Sequence, residues 1–167
     1  MNDRLTASDI KKMEEEIEYR RVTLRPELLE HVKVARAQGD LSENFEYKAA
    51  KQEKNRNESR IRYLERMVKT AVVIDDSSKD DEVGINNKIT VEFTDDHSTA
   101  VYKIVTTVRA NSLKGLISIE SPLGKALMKH RIGDKVHVVV DENISYDVII
   151  KEIDKTEDDS QDAIRQY

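Results

Sequence analysis

The amino-acid sequence predicts an α+β protein: an N-terminal long antiparallel helical hairpin (a coiled coil), then a small antiparallel-sheet domain with one short helix. Three observations carry this. Apolar residues recur at steps of three, four and seven through the first 70 residues, the period of a helix with one buried stripe. Beyond Thr70 the pattern changes to short β-branched runs separated by polar turns. Hydrophobic residues make up 38% of the chain and charged residues 37%, with six Tyr, two Phe and no Trp. That is too little apolar surface for one large core, but it suits a helix pair and a compact second domain.

The first helix is expected from Ser8 to about Gln38, with Ile10, Met13, Ile17, Leu24, Leu28, Val32 and Ala35 on one face. Pro26 should kink or break it, because proline lacks the N–H and its ring clashes with the preceding turn. Gly39 suits a left-handed helix end. A second helix, from about Leu41 to Thr70, carries Tyr47, Ala50, Lys54, Asn57, Ile61, Leu64, Val68 and Ala71 in heptad register. Its polar seam positions can fix the register of the pair. About 28 residues would give a helix of roughly 42 Å. The short turn between the helices makes them antiparallel, and a hairpin so long should project beyond a small supporting domain.

After Ala71–Ile74 comes the polar linker Asp75–Asp81. Strands are then expected at Ile89–Phe93, Ala100–Thr106, Leu116–Ile119, Val136–Val140 and Tyr146–Ile153. Ser121 followed by Pro122 marks the start of one short helix, as N-cap and first helical residue. The boundaries that follow are residues 1–75 for the coiled coil, 76–153 for the second domain, and 154–167 for an acidic tail. Acidic and poor in apolar residues, the tail is expected to be disordered.

Composition excludes several function classes. Without cysteine there are no disulfides and no thiolate metal sites. No stretch approaches the roughly 18 apolar residues of a membrane span, and the start of the chain lacks an apolar run, so a cytoplasmic protein without membrane contact is expected. The net charge is −5, with residues 1–75 near balance and residues 76–167 clearly acidic. Any nucleic-acid contact should therefore be local or arranged by a partner. The four histidines, His31, His97, His130 and His137, show no metal-ligand spacing.

The most informative stretch is the tip, Gly39–Tyr47, and it bears two readings. Asp40 can cap the second helix with Glu43 completing a capping box, both acids favouring the positive helix end. Alternatively, Asp40, Glu43 and Glu46, spaced by three, cluster where no core needs them. Carboxylates so placed can hold a well-hydrated Mg²⁺ or act as a base on its water. The sequence shows no phosphate loop and no nucleophile–base pair, so any chemistry at the tip must complete a partner's site. Behind the tip, residues 48–62 carry Lys48, Lys51, Lys54, Arg56, Arg60 and Arg62 against Glu53 and Glu58, either a solvated helix face or a phosphate-attracting patch.

The run Ala37–Lys51 resembles the hairpin-tip signature of the Gre transcript-cleavage/elongation factor family of bacterial RNA polymerase, in its GreA-type form. Leu24-Arg25-Pro26-Glu27, Ile117–Leu127 and Ile132–Val136 match further family elements in the right order, so the resemblance covers about residues 8–152. It implies that the second domain is FKBP-like and docks on the rim of the polymerase secondary channel through Ser121, Pro122, Leu123 and Lys125. It implies that the coiled coil enters the channel, where Asp40 and Glu43 help bind a Mg²⁺ shared with the polymerase and activate a water, with Glu46 and Tyr47 in support. The polymerase's own centre then cleaves backtracked RNA, so the chain is an accessory factor, not an enzyme. It would hold no cofactor alone and work as a monomer, with the basic patch contacting the nascent RNA 3′ end. A channel-binding regulator of the same shape that does not stimulate cleavage is the alternative. A coiled-coil interaction module whose tip acids are only caps is a third. The chain departs from the family pattern at Val108-Arg109-Ala110-Asn111, usually a Glu-Ala-Asp-like element, at Asn86-Asn87, usually a glycine-containing turn, and in its acidic tail.

Overall fold

The computed structural model describes residues 3–39 and 44–166. It forms two compact units, one built on Ala7–Val72, the other on the chain from Val73 onward together with Arg4–Thr6.

In the first unit, α1 (Ala7–Tyr19) passes through a π-helical turn, Arg20–Leu24, into α2 (Arg25–Arg36), and α3 (Phe45–Thr70) returns. Met13, Ile17, Leu28 and Ala35 are buried and Ile10, Leu24 and Val32 half-buried, so the expected face is the packed one. On α3 the buried positions are Asn57, Arg60, Ile61, Leu64 and Met67, with Val68 half-buried. The pairing is antiparallel: Glu16 meets Arg60, Arg25 meets Glu58, and Ala35 meets Asn44.

Pro26 does not break the helix. It sits in the first turn of α2, where its missing N–H matters least. The ladder immediately before it widens, with the Arg25 N–H donating to the Arg20 carbonyl five residues back. The polar seam position Asn57 grips this turn. Its Oδ1 accepts from Arg20 Nη1 at 2.9 Å and its Nδ2 donates to the Arg20 carbonyl at 3.2 Å. A slip along the seam would orphan both groups, so Asn57 sets the register. Beside it, Glu16 accepts from Arg20 and Arg60, each at 2.8 Å, and Arg21 pairs with Glu65. Burial would raise the Glu16 carboxyl, but hydrogen bonds from Arg60 and Arg20 prevail and hold it below its ordinary value.

The second unit is a five-stranded sheet. In the numbering that counts the two-residue strands β1 (Arg4–Leu5) and β2 (Val72–Val73), its members are β3 (Lys88–Phe93), β4 (Thr99–Val105), β5 (Leu116–Ser118), β6 (Lys135–Val139) and β7 (Ser145–Asp154). Their spatial order is β5-β4-β3-β7-β6. All expected strands are present within a residue or so of their predicted ends. The sheet is not wholly antiparallel, because β5 joins β4 in parallel after the 107–115 crossover. Alternate residues Ile89 and Val91, Val136 and Val138, and Val148 and Ile150 face one core. The helix α4 (Pro122–Leu127) covers it with Leu123 and Leu127. Ser121 caps α4, accepting from the Gly124 N–H at 3.0 Å. Gly124 is obligatory, since a Cβ there would lie 2.0 Å from the Ser118 carbonyl oxygen.

The tail is corrected from the disordered extension expected of its composition. Lys155 Nζ sits among Ser78 Oγ, the Lys79 and Glu82 carbonyls and Asn87 Oδ1, at 2.7–2.9 Å. Further on, Asp162 Oδ2 accepts from Lys103 Nζ at 2.8 Å and Arg109 Nη1 at 3.1 Å. Ile164 is buried, and the Arg165 N–H donates to the Val108 carbonyl. Partners supplied by distant loops and by β4 give the acidic segment what its own composition lacks.

Candidate functional site

Asp40 and Glu43 lie outside the described residues, which bracket them at Gly39 and Asn44. Gly39 has φ +148°, a backbone conformation that favours glycine, and lies beyond the left-handed helical region expected for a helix end. Asn44 is the N-cap of α3, its Oδ1 accepting from the Tyr47 N–H at 2.9 Å. Its Nδ2 donates to the Ala35 carbonyl at 2.6 Å, in the last turn of α2. One amide thus caps one helix and ties it to the end of the other.

This corrects two expectations. The cap of α3 is Asn44 and not Asp40, and the capping box expected of Asp40 with Glu43 lies outside the described residues. Of the three acids expected in the first turn and a half of the helix, only Glu46 belongs to it; Asp40 and Glu43 precede it. Both corrections have one cause. Asp40, Ser42 and Asn44 are all good N-cap residues, and Asn44 combines capping with a bond to Ala35.

Around this joint, Glu46 is exposed, and Tyr47 lies 5.5 Å from the Arg36 guanidinium, which lowers its phenol by hydrogen bonding. Phe45 is 79% exposed, with Lys48 Nζ 5.6 Å from its ring centre. Carboxylate oxygens such as those of Asp40 and Glu43 suit Mg²⁺ chemically, but two of them are too few to enclose the ion. Among the described residues no group of three or more His, Cys, Asp or Glu could hold a metal.

Of the basic patch, Lys48, Lys51, Arg56 and Arg62 are exposed and Lys54 is half-exposed. Arg60 does not belong to it. It is 8% exposed, with Nε at 2.8 Å and Nη2 at 3.2 Å from the Glu16 carboxylate. It lies three residues from Asn57 and four from Leu64, on the packed face. In the second unit, Pro122 and Lys125 are exposed and can meet a partner. Leu123 is a core residue and Ser121 the half-buried cap of α4. Sequence reasoning missed the bridging role of Asn44, which only the 2.6 Å contact with Ala35 reveals.

No described helix is long and apolar enough to cross a membrane. Residues 4–73 match the family model "Transcription elongation factor, N-terminal" and residues 77–155 match "Transcription elongation factor, GreA/GreB, C-term". The transcription elongation factor GreA of Streptococcus gordonii is 39% identical over 153 residues, 91% of this chain and 95% of the relative. GreA of Clostridium botulinum is 42% identical over 142 residues, 84% and 89%. Among solved structures, GreA factor homolog 1 of Thermus thermophilus is 26% identical with a TM-score of 0.43, covering 92% of this chain and 99% of that one. Two family models in order, spanning nearly the whole sequence, and relatives near 40% identity show that this chain belongs to the GreA/GreB family of transcription elongation factors.

Proposed function

We propose that the chain binds bacterial RNA polymerase in the cytoplasm as a monomer and stimulates the polymerase's own cleavage of backtracked RNA. In this reading the hairpin enters the secondary channel, and Asp40 and Glu43 complete a Mg²⁺ site that the polymerase holds only in part. One observation carries it beyond family membership: Asn44 caps α3, so the acid pair is not needed as that helix's cap. A bound second Mg²⁺ supplies charge neutralisation and a more acidic water to phosphoryl chemistry.

The chain's own residues have narrower tasks. Asp40 and Glu43 offer oxygen ligands and a proton acceptor. Asn44, bonded to Ala35 and Tyr47, fixes the start of α3 beside them. Lys48, Lys51, Lys54 and Arg56 attract the phosphates of the extruded RNA 3′ segment without reading bases. Pro122 and Lys125 contact the channel rim. The chain is an accessory to the polymerase's catalysis and performs no reaction alone.

Stalled, backtracked elongation complexes test the reading. With Mg²⁺ and the wild-type chain they should release short 3′ RNA fragments. Asp40→Asn and Glu43→Gln should abolish release while polymerase binding persists. No fragments with the wild type, or undiminished release by the double variant, would overturn it.

A further inference from the structure

The chain contains two phenylalanines, and they are placed in opposite ways. Phe93 packs against the core of the second unit, its ring centre 5.8 Å from that of Tyr146. Phe45 is 79% exposed, two residues beyond Glu43 in the sequence. As the first residue of α3 it does little for that helix, because an aromatic side chain is a weaker helix former than Ala or Leu and this one buries little area. The backbone beneath it is braced. Asn44 donates to the Ala35 carbonyl at 2.6 Å and accepts from the Tyr47 N–H at 2.9 Å. A flat apolar ring is thus held in water on a fixed support.

Its surroundings are those of a single-strand nucleic-acid site. Lys48 Nζ lies over the ring, 5.6 Å from its centre. Steps of three and four lead from Phe45 through Lys48, Gln52, Arg56, Ser59 and Arg62, all of them exposed. One aromatic, three cations and two neutral polar groups therefore share a stripe that holds no acid. Glu46 and Glu53 fall outside it, and Glu58 is bound by Arg25 at 2.8 and 2.9 Å. A nucleotide presents a π-face and a phosphate, and Phe45 with Lys48 presents a partner for each.

We propose that Phe45 is a substrate-binding residue, its ring stacking on an unpaired base of the extruded RNA while Lys48 meets a neighbouring phosphate. That the strand is backtracked RNA rests on the function proposed above. Stacking adds what the cations lack. Phosphate attraction is alike at every nucleotide and lets a strand slide, whereas a stacked base holds it in one register. The ring has no hydrogen-bonding group, so it takes any base. A protein surface fits less well, because the neighbours of the ring along the stripe are charged or polar, and the core of a protein interface is poor in charge.

The test follows cleavage in backtracked elongation complexes saturated with the wild-type chain, Phe45→Leu or Phe45→Tyr. The RNA carries either ordinary or abasic nucleotides in its extruded 3′ segment. Phe45→Leu keeps an apolar side chain without the ring, and since the site is exposed its thermal melting should match the wild type. On ordinary RNA it should slow cleavage about fivefold or more, while Phe45→Tyr stays near wild type. On abasic RNA the wild type and Phe45→Leu should cleave at the same rate, because there is no base to stack. Equal rates on ordinary RNA, a Tyr variant as slow as Leu, or the same slowing on abasic RNA (the mark of a ring that touches the polymerase) would each overturn the inference and leave the proposed function standing. If the wild type releases no fragments, both fall.

Discussion

Replacing Asp162 by Asn removes a charge while keeping the shape, and its consequence follows from the geometry. One carboxylate oxygen accepts from Lys103 Nζ at 2.8 Å and Arg109 Nη1 at 3.1 Å, with all three residues buried. Breaking a buried pair by removing one partner costs about 3–5 kcal/mol, because the remaining charge stays desolvated. Asparagine retains one acceptor, which places the expected loss near the lower figure, about 3 kcal/mol. For a domain of roughly 60–100 residues each kcal/mol shifts Tm by about 4–8 °C, so the second unit's transition should fall by about 12 °C or more. Scanning calorimetry reads this, with the exposed Glu157→Gln as a control expected within about 0.5 kcal/mol of wild type. Adding Lys103→Met to Asp162→Asn should recover part of the loss by removing one stranded cation. A drop of less than about 3 °C would refute the view that Asp162 compensates two buried cations.

Asn44→Ala should destabilise the hairpin by about 1–2 kcal/mol, from a lost cap and a lost bond to Ala35. Asn44→Asp, which can still cap, should lose less; equal losses in thermal melts would deny the bridging role. Acid should loosen the hairpin through Glu16, whose folded carboxyl titrates below its ordinary 4.5. Its contribution is complete above that value and is lost as pH falls through the lower folded one, whereas Glu16→Gln should flatten this part of the stability–pH curve. Arg60→Ala should lower hairpin stability, while Lys51→Ala should leave stability unchanged and weaken RNA-dependent cleavage stimulation, as melting and cleavage assays would show.

Local periodicity made the helix faces legible. Met13, Ile17, Leu28 and Ala35 are the buried apolar positions of α1 and α2, because a 3.6-residue repeat fixes which side chains can share a seam. The strands were legible for the same reason at period two, and α4 through its Ser-Pro start. What escaped the sequence depends on partners far along the chain. Arg60 reads as one charge of a basic run until α1 supplies Glu16. The true cap of α3 is hidden among three capping residues until α2 supplies the Ala35 carbonyl. Composition marks the tail as disordered, yet Asp162 and Ile164 alternate inward toward Lys103, Arg109 and Val108. Parallel pairing of β5 with β4 was equally out of reach, since strand direction depends on how the 107–115 crossover runs.

The central claim is that Asp40 and Glu43 supply ligands to a metal that the polymerase alone holds weakly. It is tested most directly by titrating Mg²⁺ into backtracked complexes and following RNA cleavage with polymerase alone, with the wild-type chain, and with Asp40→Asn/Glu43→Gln at saturating occupancy. The wild-type chain should shift half-maximal cleavage to lower Mg²⁺, and the double variant, still bound, should return it to the polymerase-alone curve. A double variant that keeps the wild-type Mg²⁺ dependence would contradict it.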